Sequence, residues 1–221
     1  MFSVIFEVHP KQSQFDLYLA LAKDLKPILE GIDGFIDNER FESKRRPGWI
    51  LSHSTWRDEK SLVRWRTVAK HHETQQRGRD EVFQDYHLRV GEIVSDSAPP
   101  GGAPLVEQRL DETEIGDARF AALTEISPSG QPVPNDLASL LALEEGRPAL
   151  LDYDVFASIY NVGKLALLTS WRDRQSAEQL DWSPLAWTGA VRHRAVRVVR
   201  DYGMFDRRES PQYFPEILSP P

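Results

Sequence analysis

The sequence contains no cysteine among its 221 residues. Disulfide bonds, thiolate metal ligands and a cysteine nucleophile are therefore excluded. Basic residues are also few, since 27 lysines and arginines stand against 34 aspartates and glutamates, which gives a formal net charge of −7. Proteins that bind nucleic acids usually need a basic surface, so we expect no nucleic-acid partner.

Long apolar runs are missing as well. No segment approaches the roughly 20 apolar residues that a helix needs to cross a bilayer. Met1 leads directly into residues 2–8, in which apolar positions alternate. Such alternation is typical of a β-strand and unlike the charged and apolar regions of a signal peptide. The sequence thus predicts a cytoplasmic protein with no membrane partner.

The sequence does contain the tripeptide Trp-Arg-Asp twice, as Trp56-Arg57-Asp58 and as Trp171-Arg172-Asp173. Each copy follows an apolar run that is typical of a strand. Each precedes a segment that is typical of a helix and holds a further tryptophan, Trp65 or Trp182. A match in type, order and flanking pattern predicts one fold written twice. The motif itself would mark a corner where a strand ends and a capped helix begins.

The residue pattern of the first half predicts the order strand, helix, strand, strand, helix, strand. The strands are expected at residues 2–8, 34–43, 49–56 and 86–94, and the helices at 14–29 and after Asp58. Pro27 is expected to kink the first helix, and Gly31 suits its C-terminal cap. The polar stretch Lys70 to Asp80 receives no assignment.

The second half repeats this order. Strands are expected at residues 118–126, 149–160, 164–171 and 192–201, and helices at 134–144, capped by Asn135 or its turn, and at 175–187. Prolines and glycines in residues 95–105 indicate a linker. The predicted divisions are a first domain at 1–96, a linker at 97–106, a second domain at 107–204 and a proline-rich tail at 205–221.

A β-α-β-β-α-β order is that of the ferredoxin-like plan, a four-stranded antiparallel sheet with both helices on one face. We therefore predict an α+β protein with two ferredoxin-like domains in tandem. The open face of each sheet must be covered, and two copies can cover each other. A small-molecule site is natural between a sheet and its helices, or between the sheets.

The amino-acid sequence of the first half resembles the antibiotic biosynthesis monooxygenase (ABM) domain family. The resemblance covers roughly residues 2–95 and rests on a series of short motifs. They are Gly34-Phe35-Ile36, Glu39 to Ser43, Pro47-Gly48, Trp56 to Glu59, Trp65-Arg66, His71, Gly78-Arg79 and Tyr86 to Val90. The second half is similar to a diverged copy that lacks a counterpart of the stretch from His71 to Arg79.

This resemblance implies the dimeric α+β barrel fold. It also implies a chemistry, because some members oxidise polycyclic aromatic molecules with dioxygen and without metal or flavin. Others degrade haem, and many have no demonstrated activity. We therefore expect a monooxygenase without cofactor, whose partners are dioxygen and an aromatic or enolisable small molecule. The barrel would form as a pseudo-dimer within one chain or as a homodimer.

Four residues are candidates for catalysis: Trp65, His71, His72 and Asn38. Trp65 and His72 are seven residues apart, so they would share a face if one helix spans both. A histidine with a near-neutral pKa could deprotonate the substrate. The resemblance suggests that Asn38 and Trp65 orient a carbonyl and dioxygen through their N–H groups. The alternative is that Trp65 is a core residue and that both histidines lie on a solvated helix end.

Three further residues are candidates for substrate binding: Phe83, Tyr86 and Arg89. The two aromatic side chains would line a cavity or the core. Arg89 lies among apolar residues in a strand, where a cation is costly unless it is paired. It would pair with an acid such as Asp37 or Glu39, or bind an anionic substrate.

Two other functions stay open from the sequence. The same barrel could serve as a non-catalytic protein that binds a small molecule or supports an assembly. Alternatively, His71 or His72 could bind haem iron, although neighbouring histidines diverge by about 100° on a helix, so only one could do so. No set of residues at metal-binding spacing is otherwise evident in this segment.

Overall fold

The first half of the chain folds into the predicted elements, with one helix in addition. The computed structural model describes residues 1–102, 104–128, 130, 137–143, 147–181 and 187–211. The first-half elements are β1 (Phe2–Pro10), α1 (Phe15–Glu30), β2 (Phe35–Ser43), β3 (Ile50–Trp56), α2 (Glu59–Arg66), α3 (Ala69–Arg77) and β4 (Phe83–Asp96). The added helix is α3, and a π-helical turn, Gly78–Val82, connects it to β4. No helix of the described ranges is long and apolar enough to cross a membrane.

The second half has the predicted strands and shorter helices. Its elements are β5 (Phe120–Ile126), α4 (Leu137–Leu140), β6 (Leu150–Ser158), β7 (Leu165–Trp171), α5 (Arg174–Glu178) and β8 (Val191–Gly203). Of the helix predicted at 175–187, the described part ends at Glu178, because the backbone leaves the helical region at Gln179 and Leu180 packs into the core; residues 182–186 lie outside the described residues. Asn135 and Trp182 lie outside the described residues.

The eight strands form one closed barrel in the order β1-β3-β2-β6-β7-β5-β8-β4. The first-half strands are adjacent as β4-β1-β3-β2, and the second-half strands follow the corresponding order β8-β5-β7-β6. Antiparallel pairs β2–β6 and β4–β8 join the halves edge to edge. Closure leaves no strand edge unpaired. The two sheets therefore share one continuous hydrogen-bonded barrel instead of stacking as separate layers.

The barrel interior combines an apolar cluster with two matching Arg–Glu pairs. The cluster consists of Ile5, Phe41, Leu51, Ala121, Leu123, Phe156, Ala166, Leu168 and Val198. Arg89 donates to the carboxylate of Glu7 at 2.6 Å and to the hydroxyl of Ser170 at 2.7 Å. Arg194 likewise donates to Glu125 and to the hydroxyl of a β3 threonine. Each arginine thus links a carboxylate of its own half to a hydroxyl of the other half.

The two Trp-Arg-Asp motifs form equivalent corners, as predicted. The carboxylate of Asp58 accepts a hydrogen bond from the backbone N–H of Ser61 at 2.8 Å, and that of Asp173 accepts one from Ser176 at the same distance. Both aspartates are therefore N-caps. The indole N–H of each motif donates to a hydroxyl two residues earlier in its strand. Both motifs have a structural role.

The two halves differ in how their helices pack on the barrel. In the second half, a continuous apolar cluster fills the space beneath α4 and α5, and Phe120, Leu137, Leu167 and Trp171 are among its buried members. In the first half, apolar packing between the helices and the strands is incomplete. The space between these helices and the barrel is the cavity described below.

Candidate active site

A cavity of about 650 Å³ lies between the outer face of the barrel and the first-half helices. This volume is in the usual range of small-molecule sites. The register of strands β1 and β4 determines which side chains form its floor, because Val4 pairs with Val90 and Phe6 pairs with Leu88. These four side chains give the floor an apolar centre. Residues of α1, α2, α3, β8 and the C-terminal segment up to Pro211 complete the walls.

Trp65 and His71 stack within this cavity, although they belong to different helices. Their ring centroids are 4.0 Å apart and the ring planes differ by 18°. The condition under which Trp65 and His72 would share a helix face is not met, because α2 ends at Arg66 and α3 begins at Ala69. The intervening Val68 has an extended backbone, which turns the chain. This break, and not helical periodicity, brings the imidazole onto the indole.

The protonation state of His71 follows from its contacts. Its Nδ1 lies 3.2 Å from the backbone carbonyl oxygen of Trp65. A carbonyl oxygen can only accept a hydrogen bond, so Nδ1 carries the proton and Nε2 is left as an acceptor. Burial, with a smaller contribution from the nearby His72, lowers the pKa of His71 to about 4, although the hydrogen bond to the Trp65 carbonyl acts in the opposite direction. The imidazole is therefore neutral at pH 7, and it is a weaker base than the near-neutral histidine expected from the sequence.

Asn38 also lines the cavity, but its amide is already engaged. Its Nδ2 donates to the backbone carbonyl of His53 at 2.7 Å and, at 3.4 Å, to the hydroxyl of Ser52. Its Oδ1 accepts a hydrogen bond from Arg40 at 3.2 Å. The amide N–H that was expected to orient a carbonyl or dioxygen is thus directed to the protein backbone. Asn38 is placed to position Arg40.

Two of the predicted substrate-binding residues, Phe83 and Tyr86, line the cavity together with His72. The ring of Phe83 packs edge-on against Phe6 and Tyr86, with centroids 5.9 Å and 6.1 Å away. Phe83 also lies directly over Gly78. Six of the seven candidate residues therefore line the same cavity: Trp65, His71, His72, Asn38, Phe83 and Tyr86.

Arg89 is the seventh residue, and its placement corrects the substrate-binding prediction. Successive residues of a strand point to opposite faces, so Leu88 and Val90 face the cavity while Arg89 faces the barrel interior. There its side chain is buried and paired with Glu7. Burial alone would raise the pKa of Glu7, but Arg89 and then Arg46 outweigh it, so that the pKa is lowered. The partner is not Asp37 or Glu39, the acids that we expected. Both lie on β2, which is not adjacent to β4, whereas Glu7 lies on the neighbouring strand β1.

Several residues of the cavity were missed by the sequence analysis. Arg40 lies two positions after Asn38 on β2 and therefore on the same face. That spacing was a usable signal. Tyr18 on α1 and Arg200 and Tyr202 on β8 had no such signal, because only tertiary packing brings these elements to the first-half helices. Within the described part of the chain, no group of three or more His, Asp or Glu side chains could hold a metal ion.

Comparisons with known proteins agree with this picture. A family model described as antibiotic biosynthesis monooxygenase matches residues 1–77. The chain is 44% identical over 221 residues to the jasmonate monooxygenase ABM of Pyricularia oryzae, with 97% of this chain and 99% of that protein covered. A solved aldoxime dehydratase shares 11% identity over 89% of this chain and 80% of its own, with a TM-score of 0.54, which shows similarity of fold alone. The near-complete alignment to the Pyricularia protein, together with the matched first third, makes this chain a member of the antibiotic biosynthesis monooxygenase family.

Proposed function

We propose that this protein is a monooxygenase that acts on a small, mostly apolar and enolisable or aromatic molecule bound in the first-half cavity. The observation that carries the proposal is the cavity in which the neutral His71 stacks on Trp65. A solvated helix end, the alternative from the sequence, is not where His71 lies. Family membership supports oxygenation as the reaction.

The most informative guide to the substrate is the Pyricularia relative, which is named for jasmonate. A jasmonate is a cyclopentanone with an apolar chain and a carboxylate. Its ketone is enolisable, so it falls within the class that the sequence suggested. The apolar floor formed by Val4, Phe6, Leu88 and Val90 suits such a carbon skeleton. We therefore propose a jasmonate-like ketone as the first substrate to test.

The chemistry that we propose needs neither metal nor flavin. Nε2 of His71 accepts the proton of an acidic O–H or C–H, and the resulting anion supplies the electrons that reduce dioxygen. A weak base favours a substrate that presents an enol or a phenol. Conversion of an activated CH₂ to C=O consumes one O₂ and releases one water, so the substrate supplies every electron. Conversion of C–H to C–OH would need two further electrons from a reductant.

Oxygen uptake with jasmonate, measured with and without added NADH, tests this function. Uptake without reductant, together with one ¹⁸O atom from ¹⁸O₂ in the product, is the expected result. Uptake that requires NADH would contradict the reductant-free route while retaining a monooxygenase. Binding of jasmonate without any uptake would favour the non-catalytic alternative. A haem titration with a Soret shift would favour the haem-binding alternative.

We also propose that the two halves are copies of one ferredoxin-like unit that pair within the chain as a pseudo-dimer. The corresponding strand orders, the paired Asp N-caps and the matching Arg–Glu pairs support this proposal. Light scattering tests it. A mass near the 25.3 kDa of one chain is expected, and a stable dimer would show that the barrel also associates between chains.

A further inference from the structure

The charge of the cavity is opposite to that of the protein. The whole chain has a formal net charge of −7. Among the described residues, the cavity wall nevertheless contains five arginines and one acid: Arg40, Arg66, Arg79, Arg200, Arg207 and Glu59. Glu59 is already paired with Arg109 at 2.8 Å. A concave surface with this imbalance concentrates anions, so the cavity favours an occupant that carries negative charge.

Arg40 is half-buried in the cavity wall and differs from Arg89 and Arg194, which are buried inside the barrel. Its Nε is buried and has no hydrogen-bond partner, a property that it shares with Arg66, Arg89 and Arg194. Arg89 and Arg194 each pair with a glutamate, Glu7 or Glu125, and Arg66, a second arginine of the cavity, has a contact of its own. Within the described ranges, Arg40 forms no ion pair. A buried guanidinium edge without an acceptor is unusual in a native protein and is expected where a ligand supplies the acceptor.

Neighbouring side chains hold Arg40 in place. The Oδ1 atom of Asn38 accepts from its Nη1 at 3.2 Å, and the opposite end of that amide is fixed to the backbone of His53. Burial raises the pKa of the Tyr18 phenol, while Arg40, which hydrogen-bonds to it, acts in the opposite direction. The phenol is therefore neutral at pH 7. These contacts reduce the entropy that Arg40 loses when it binds a ligand.

The floor of the cavity continues from Arg40 into apolar surface. Arg40 pairs with Ser52 across β2 and β3, Ser52 pairs with Phe6, and Phe6 pairs with Leu88. A molecule that lies along this row would meet a cation and a hydroxyl first and hydrocarbon afterwards. This is the arrangement that an apolar carboxylate requires.

We propose that Arg40 binds the carboxylate of the substrate and that Asn38 is its positioning residue. The occupant is therefore an apolar monocarboxylate whose chain extends over the centre of the floor. This inference deepens the proposed function and rests on it for the identity of the substrate, although the carboxylate contact can be measured without turnover.

The test compares acids with their neutral methyl esters, which preserve shape and remove charge. Binding to the full-length protein is measured by calorimetry at pH 7 for two pairs, jasmonate with methyl jasmonate and 1-naphthylacetate with its methyl ester. The wild type should bind each acid roughly 10- to 100-fold more tightly than its ester, the range expected for a charge-assisted hydrogen bond. Arg40→Gln should bring this ratio close to one, mainly by weakening the acid.

Companion variants separate a direct contact from a structural effect. Arg40→Lys should keep part of the preference for the acid, because it retains the charge but loses the planar fork. Asn38→Ala should reduce the preference without affecting the esters. Arg200→Gln changes an arginine at the β8 side of the same cavity. If that variant abolishes the preference and Arg40→Gln does not, the proposal is overturned.

Oxygen uptake keeps the two proposals apart. Acid preference that depends on Arg40, without any oxygen uptake with jasmonate, would support the carboxylate contact and contradict the proposed reaction. Oxygen uptake with equal binding of acid and ester in both pairs would support the proposed reaction and contradict the carboxylate contact. Unchanged ester binding in Arg40→Gln would show that the variant is folded and that its cavity is intact.

Discussion

The imidazole of His71 lies almost parallel to the indole of Trp65, with ring centroids 4.0 Å apart, across a break between two helices. The stack fixes the plane of the imidazole, and the carbonyl of Trp65 fixes its tautomer. Catalytic groups work best when neighbouring contacts hold them in this way. The protein contains a second stack of the same kind outside the cavity, between His9 and Trp49.

Replacement of His71 should remove activity and preserve the fold. His71→Ala is expected to lower the kcat of oxygen uptake by roughly 100-fold or more, the usual contribution of a positioned acid–base group. His9→Ala is the matched control, because it removes a His–Trp stack whose centroids are 5.3 Å apart and which does not line the cavity. Equal losses in both variants would show that stacking matters only for stability.

Gly78→Ala should narrow the cavity without breaking a helix. A Cβ atom at Gly78 would lie 2.5 Å from the ring of Phe83, whereas the backbone there is helical and accepts alanine. The ring must therefore shift, and because it lines the cavity we expect KM for the substrate to rise roughly tenfold. Gly31→Ala is the control, since its nearest atoms lie at an ordinary 3.5 Å. An unchanged KM would mean that Phe83 does not contact the substrate.

Arg89 should matter for stability and not for recognition of the substrate. Arg89→Met leaves the buried carboxylate of Glu7 with Arg46 and the more distant His87, so we expect the free energy of unfolding in urea to fall by about 3 kcal/mol. The double variant Glu7→Leu/Arg89→Met removes both charges and should recover part of this loss. Its preference for acid over ester should equal that of the wild type. Loss of the preference for acid over ester would show that Arg89 contributes to substrate binding.

The buried His53 should make the fold sensitive to mild acid. Burial, followed by the charge of Arg194, lowers its pKa from 6.5 to about 3. Between these values the unfolded chain binds a proton that the folded chain does not, so stability falls as pH falls below 6.5. At pH 5 this amounts to about 2 kcal/mol. Urea unfolding of His53→Gln should show a correspondingly smaller loss between pH 7 and pH 5.

Buried carboxylates affect stability over a different pH range, so they do not interfere with the comparison between pH 7 and pH 5. Burial opposes ionisation of Glu125, but Arg194 and other cations lower its pKa to about 2. Its stabilising contribution is therefore complete above pH 4.5 and lost only below that value. If wild type and His53→Gln lose stability equally between pH 7 and pH 5, other groups are responsible.

Much of the cavity lining comes from residues that the sequence analysis singled out, because these residues lie close together along the chain. Trp65, His71 and His72 were found as a cluster, and Phe83 and Tyr86 follow shortly after it. The face of Arg89 could also have been derived, since strand alternation separates it from Leu88. The contact between Trp65 and His71 could not, because it depends on a helix break at Val68 that no proline or glycine signals.

By itself, the sequence determined the order of the strands, the two capped corners and the family. These properties depend on local periodicity, on side chains that bond to nearby backbone and on motifs that recur along the chain. Only the tertiary structure decided that the strands close into one barrel, that Arg40 and Asn38 face a cavity and that the second half is filled. Those outcomes depend on packing and charge pairing between residues far apart in sequence, and such contacts have no local signature.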